Sequence, residues 1–108
     1  MIEALPERAV CKLEINENHL NGLGLVNGGV LFTIADYAMA VAANANGSST
    51  VTLNSSIDFI KSASRGTIVA VATPVKTGRT ISRYRVEITL EETSQLIAVL
   101  NATSFTIK

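Results

Sequence analysis

This chain of 108 residues has one cysteine, one histidine, two prolines and no tryptophan. A lone Cys11 excludes an internal disulfide and any cysteine-based metal site built from one chain, and it fits a reducing, cytoplasmic setting. His19 stands alone in the polar stretch NENHLN, where an imidazole reads as a loop residue rather than a metal ligand. Nine basic and nine acidic residues cancel, so charge gives no reason to expect nucleic acid or an anionic membrane surface as partner. There is no Gly-x-Ser-x-Gly elbow and no Gly-Lys-Ser/Thr phosphate loop. GLGLVNGG falls short of a dinucleotide loop, because Asn27 occupies the place of its third glycine. The first twenty residues carry acids and a proline rather than a basic segment followed by an apolar run, which is unlike a signal peptide. Leu23 to Ala45 is long enough to span a bilayer, yet Asp36 near its centre, the Gly-Gly pair and the lack of basic flanks argue against a span.

What the chain does have is apolar surface. Hydrophobic residues make up 47% of a body too small to hide them all, so association into a homo-oligomer, a dimer or tetramer, is the first expectation. Residues 1–108 contain no repeat, charge block or linker and are treated as one domain. Arg8 to Ile15 alternates closely enough for a strand. After an Asn- and Gly-rich loop, Asn27 is a competent N-cap for an alanine-rich helix of about 17 residues, stopped at NANG by Gly47. This helix is apolar almost all the way round and is expected to be enclosed by other structure. Thr50 to Ile60 sets Val51, Leu53, Ile57 and Phe59 against Thr52, Asn54, Ser56 and Asp58 with period two. GTIVAVATPVK is a further strand in which Pro74 marks a bulge or an edge. Ile81 to Glu91 places Ser82, Tyr84, Val86, Ile88 and Leu90 on one side, and QLIAVLNATSFTIK closes the chain. TGR at 77–79 and ETS at 92–94 serve as hairpin turns. One strand, one long helix and four consecutive strands in meander style give an α+β domain, a curved antiparallel sheet wrapped around a central helix, which is the hotdog arrangement.

Asp36 is the one carboxylate of the helix. Facing solvent, it would leave the apolar pattern unexplained; fully buried and unpaired, it would cost several kcal/mol. A cleft or subunit interface resolves the conflict, and a structural acid bonded to backbone remains the plain alternative. Two turns earlier, Gly28 and Gly29 open the helix, where free amides and the positive dipole end suit a developing oxyanion. A simple N-cap turn would use Asn-Gly-Gly equally well.

NGLGLVNGGVLFTIADYAMAVAANANG, followed by SIDFIKSASRG and VKTGRTISRYRVEI, resembles the hotdog-fold acyl-CoA thioesterases of the phenylacetic-acid-degradation type. Their pattern is Asn-x-x-Gly-x-x-His-Gly-Gly, an Asp eight residues after the first Gly of that pair, and a later Gly-Arg/Lys turn. The likeness runs from about Leu20 to Lys108. It implies that Asp36 activates water as general base or attacks the thioester directly. By the same resemblance the Gly28 N–H polarises the thioester carbonyl, Asn21 orients water or substrate, and Thr52 assists the water. Asn27 and Gly29 would border the substrate, while Arg79 in the TGR turn and Lys61 would meet the CoA phosphates, with other surface cations as rivals. The resemblance further implies an active site spanning two subunits, an acyl-CoA substrate with a small aryl or a short- to medium-chain acyl group, and no cofactor or metal. Where the family has His before Gly-Gly this chain has Asn27, which cannot carry charge or shuttle a proton. A hydratase reading lacks its histidine. The remaining rival is a non-catalytic protein that binds or senses acyl-CoA.

Overall fold

The computed structural model describes residues 2–5 as backbone and residues 8–45, 47 and 49–107 in full. Asn46 of the helix-stop segment and Lys108 of the closing strand lie outside the described residues.

Helix α1 runs Gly28–Asn44 and begins where its sequence provides a cap. Asn27 is extended (φ −64°, ψ 134°) and its side-chain oxygen accepts the Gly29 N–H at 2.8 Å. At the far end Gly47, at φ 87°, donates its N–H to the Asn44 carbonyl at 3.0 Å, in the left-handed region that favours glycine. The Asn44 side chain also accepts the Thr50 N–H at 3.0 Å and so holds the next strand against the helix end.

Six strands form one antiparallel sheet: β1 (Ile2–Leu5), β2 (Arg8–Glu14), β3 (Ser49–Phe59), β4 (Thr67–Lys76), β5 (Ile81–Leu90) and β6 (Gln95–Ile107). The expected turns at 77–79 and 92–94 join β4, β5 and β6 as a meander. Gly78 is confined to glycine there, because a Cβ would collide with the Ile81 carbonyl oxygen. Strand β1 is an addition, absent from the pattern-based reading.

The order β1-β2-β4-β5-β6-β3 corrects the four-strand meander, since β3 pairs with β6 at the opposite edge from β2. The connection explains the detour. The Ile60 and Lys61 amides both donate to Ile97 of β6, Val26 donates to Ala63, and Ile15 beyond β2 donates to Gly66. Residues 60–66 thus carry the chain beneath the helix start from the β3 edge across β6 and β5 to the interior strand β4. A second correction concerns the faces of β3. A register shift between Thr52 and Asn54 inserts Leu53 as a bulge, so Thr52 pairs with buried Ser104 and Val51 turns to the opposite face from Ile57 and Phe59. Pro74 does sit at a bulge, between Pro74 and Lys76, but β4 is interior rather than an edge.

The core is a helix pressed into a concave sheet through small residues. Ala35 and Ala38 of α1 meet a sheet face carrying Ala70, Ala72, Ala98 and Ala102, all fully buried, with Met39, Ile68, Val86, Ile88 and Leu100 filling the rest. The alternation expected of β5 holds, with Ser82, Tyr84, Val86 and Ile88 buried. The expectation of a fully enclosed helix does not. Phe32 and Tyr37 are 37% and 50% exposed, because one sheet can cover only one side of a helical rod. No helix among the described residues is long and apolar enough to cross a membrane.

At the β4 and β6 turn ends, Glu92 accepts the Thr67 N–H at 3.1 Å. That bond, aided by Glu92's own amide, holds its carboxyl below the usual glutamate value of 4.5. A lowered folded pKa gives stability that is present above 4.5 and lost as pH falls through the lowered value. The stability advantage of wild type over Glu92→Gln in urea titrations should therefore be full at pH 6 and shrink as pH falls below the glutamate range.

Candidate functional site

The first turn of α1 has a single unused donor. Gly29 gives its N–H to the Asn27 side chain, and Val30 and Leu31 give theirs to the Asn27 carbonyl at 3.0 and 3.3 Å. The Gly28 amide has no partner among the described residues. It lies at the positive end of the helix dipole, where an anion gains most. Its lack of a side chain suits its neighbour: a Cβ on Gly28 would stand 3.1 Å from the Phe59 ring, which would have to give by a few tenths of an ångström. The expectation of several free amides at this helix start thus narrows to one, and Gly29 can offer only its lack of a side chain.

Asn21, Gly28 and Lys61 line one depression together with Phe59, Leu31 and Ser62, about 380 Å³ in volume. The loop that presents Asn21 is folded by Asn21 itself. Its Oδ1 accepts the Leu23 and Leu25 amides at 2.8 and 3.2 Å, and its N–H donates to the Leu25 carbonyl at 2.7 Å. With that oxygen occupied, the side-chain NH2 is what remains for a ligand, so Asn21 acts toward a ligand as a donor.

On the other flank of the helix start lies a larger groove of about 750 Å³. Asn27 and Gly29 border it, Leu13, Val30 and Ile34 form apolar wall, and His19, Thr33 and Tyr37 contribute polar atoms. His19, Thr33 and Tyr37 were not singled out as lining residues by the sequence. Gly29, Thr33 and Tyr37 do recur every four residues, the spacing of one helix face.

The remaining expected site residues stand apart. Asp36 is half-buried, on the side of α1 left open by the sheet, and its carboxylate has no hydrogen bond or ion pair among the described residues. Eight residues separate it from Gly28, roughly 12 Å along the axis and 80° around it, too far for both to touch one carbonyl group. Thr52 is exposed on the edge strand β3. Arg79 is exposed in the β4–β5 turn. The cross-strand row Val51, Phe105 and Ile81 puts that turn at the helix C-terminal end of the sheet, where Asn44 binds Thr50. Lys61 follows Phe59 at the Gly28 end, roughly 25 Å of strand away. Within one chain, Lys61 and Arg79 do not serve the same phosphate.

Residues 23–97 match the model of the thioesterase superfamily. Mouse acyl-coenzyme A thioesterase 13 is 32% identical over 101 residues, 91% of this chain and 72% of that protein. The Escherichia coli PaaI protein from the phenylacetic acid degradation operon superposes with a TM-score of 0.91 at 29% identity, covering 95% of this chain and 75% of that one. A Streptococcus mutans protein solved bound to acetyl CoA superposes at 0.93 with 28% identity, over 99% and 86% of the two chains.

Cys11 forms part of the groove floor, yet it is only 3% exposed, and burial pushes its thiol above the ordinary value of 9.0. The native protein should resist iodoacetamide at pH 8 and take up one equivalent only after unfolding, as read by intact mass.

Proposed function

The chain belongs to the thioesterase superfamily and is a thioester hydrolase with the hotdog fold, and from that premise we propose an acyl-CoA thioesterase whose site is shared between two copies. The observation that carries this reading is the separation of its parts. The only unpartnered amide of the helix start, at Gly28, and the one helical carboxylate, Asp36, each face open space roughly 12 Å apart along α1. A second chain is the simplest way to bring such a pair onto one ester.

The surface left open supports it. Strand β3 is an 11-residue sheet edge on which Val51, Leu53 and Phe59 are 44%, 54% and 56% exposed. Long, apolar, unpaired edges invite strand pairing. Two β3 edges related by a two-fold axis perpendicular to the sheet run antiparallel. Each copy then sets its helix C-terminal half beside the other's helix start, so Asp36 approaches the partner's Gly28 and Asn21. The same operation carries Arg79 toward the end that holds the other copy's Lys61, where the two can share the CoA phosphates. Thr52, on the paired edge, comes near the water. A dimer is the minimal unit, and pairing of dimers would give the tetramer suggested by the apolar composition.

In this arrangement Asp36 removes a proton from water as the water oxygen adds to the thioester carbon, or the carboxylate adds itself. Charge moves onto the carbonyl oxygen, where the Gly28 N–H and the Asn21 NH2 receive it. Collapse of the adduct expels CoA as a thiolate, a leaving group stable enough to need little protonation. One such donor contributes on the order of 10²–10³ in rate and a positioned general base 10²–10⁴. Asn27 leaves this scheme intact, since it caps the helix and no step draws a proton from that position. The groove along Val30 and Ile34 is a fitting berth for a small aryl or a short- to medium-chain acyl group. A cytoplasmic setting agrees with a free, buried thiol.

Release of CoA from a panel of aryl and aliphatic acyl-CoAs should fall by roughly 10²–10⁴ in Asp36→Asn while CoA affinity is retained. CoA esters bound without turnover by the wild type would instead support the sensing role. Mixing inactive Asp36→Asn with inactive Asn21→Ala, under conditions that exchange subunits, should restore about a quarter of wild-type activity, because half the dimers are mixed and each has one intact site. No recovery on mixing would show that each site lies within a single chain.

A further inference from the structure

His19 closes the short 3₁₀ turn Glu17–His19, and its contacts are directional in a way its sequence context does not suggest. Its Nδ1 accepts the Asn16 N–H at 2.9 Å, while its own N–H donates to the Asn16 carbonyl at 3.0 Å. Its carbonyl accepts the Asn27 N–H at 2.8 Å, fastening the turn to the residue that caps α1. Immediately afterwards Leu20 bridges to Val26, enclosing the loop that Asn21 folds around its own side chain. One residue thus anchors a segment that carries Asn21 in its middle and ends at the Gly28 amide.

A backbone amide can only donate. The bond from Asn16 therefore requires a bare Nδ1, which leaves the neutral ring's proton on Nε2. Adding a second proton would set N–H against N–H and break the capping box. The groups around the ring do not substitute for that acceptor: Lys12 and Cys11 from β2 and Tyr37 from α1 line the same groove, and Glu17 lies in the same turn. The Lys12 ammonium is held by Glu91 at 2.5 Å.

We propose that His19 is a positioning residue for the thioester site, its neutral ring holding the 16–27 segment so that Asn21 and Gly28 face one carbonyl oxygen, and its protonation releasing that segment. This rests on the thioesterase reading above. It makes the hydrolase sensitive to acid through a group that touches neither the attacking water nor the thioester carbonyl.

The test compares wild type, His19→Asn and His19→Ala by kcat/KM for CoA release between pH 5.5 and 8, alongside hydrogen exchange of the Asn16 amide. An asparagine oxygen can take the place of Nδ1 and does not titrate, so His19→Asn should keep the Asn16 amide protected and stay faster than His19→Ala at pH 8. Its ratio to wild type should rise as pH falls, whatever acid limb Asp36 imposes on both. His19→Ala should be roughly three- to tenfold slower at pH 8, the loss expected for one hydrogen bond, with its Asn16 amide unprotected. A ratio that is independent of pH in an active enzyme, or an unprotected Asn16 amide in wild type at pH 8, would overturn the proposal alone. Absence of CoA release by wild type with a protected Asn16 amide would instead remove the thioesterase reading, and the positioning role with it.

Discussion

Everything in this molecule depends on how far α1 sinks into its sheet. Alanines on both surfaces, Ala35 and Ala38 against Ala70, Ala72, Ala98 and Ala102, share the core with Met39, Ile68, Val86, Ile88 and Leu100 and let the helix seat closely on the sheet. A tightly seated helix has its first turn and its mid-length acid fixed relative to every strand. The same seating leaves the opposite side of the rod bare, with Phe32 and Tyr37 turned outward. A fold that must expose half of a mostly apolar helix has a strong reason to associate, and the carboxylate proposed for catalysis, Asp36, lies on that exposed half.

The helix start illustrates how a site is selected by hydrogen-bond accounting. Four amides at a helix N-terminus need partners from outside the ladder. Asn27 gives its own to the His19 carbonyl, Gly29 gives its N–H to the Asn27 side chain, Val30 turns back to the Asn27 carbonyl, and Gly28 keeps the fourth. Asn21 shows the same economy, spending its oxygen on its own loop and retaining its NH2. Both residues line the same depression and each keeps a donor, the polarity that a carbonyl oxygen acquiring negative charge demands.

Much of this was legible in the sequence. The cap, the helix, its glycine stop and the β4–β5–β6 meander follow from short-range rules, since each depends on residues within a few positions of one another. The alternation of β5 likewise revealed its buried side. The place of β3 was not legible, because the bonds that carry residues 60–66 across the sheet are made to Ile97, Ala63 and Gly66 by distant partners. Its bulge at Leu53 was hidden for a similar reason: period two in a sequence says nothing of register. Among site residues, Asp36 stood out as a carboxylate in apolar company, whereas His19 looked like one more polar loop residue. Its importance lies in the direction of a single bond to Asn16, which composition cannot show.

Gly28 and Phe59 are thirty-one positions apart in sequence and neighbours in space, the ring edge lying 3.1 Å from where a Cβ on residue 28 would stand. The contact orders the mutational routes open to this lineage. A larger residue at 28 asks the ring to give by a few tenths of an ångström, whereas a smaller residue at 59 asks nothing of position 28, so change through this pair is easier in one order than in the other.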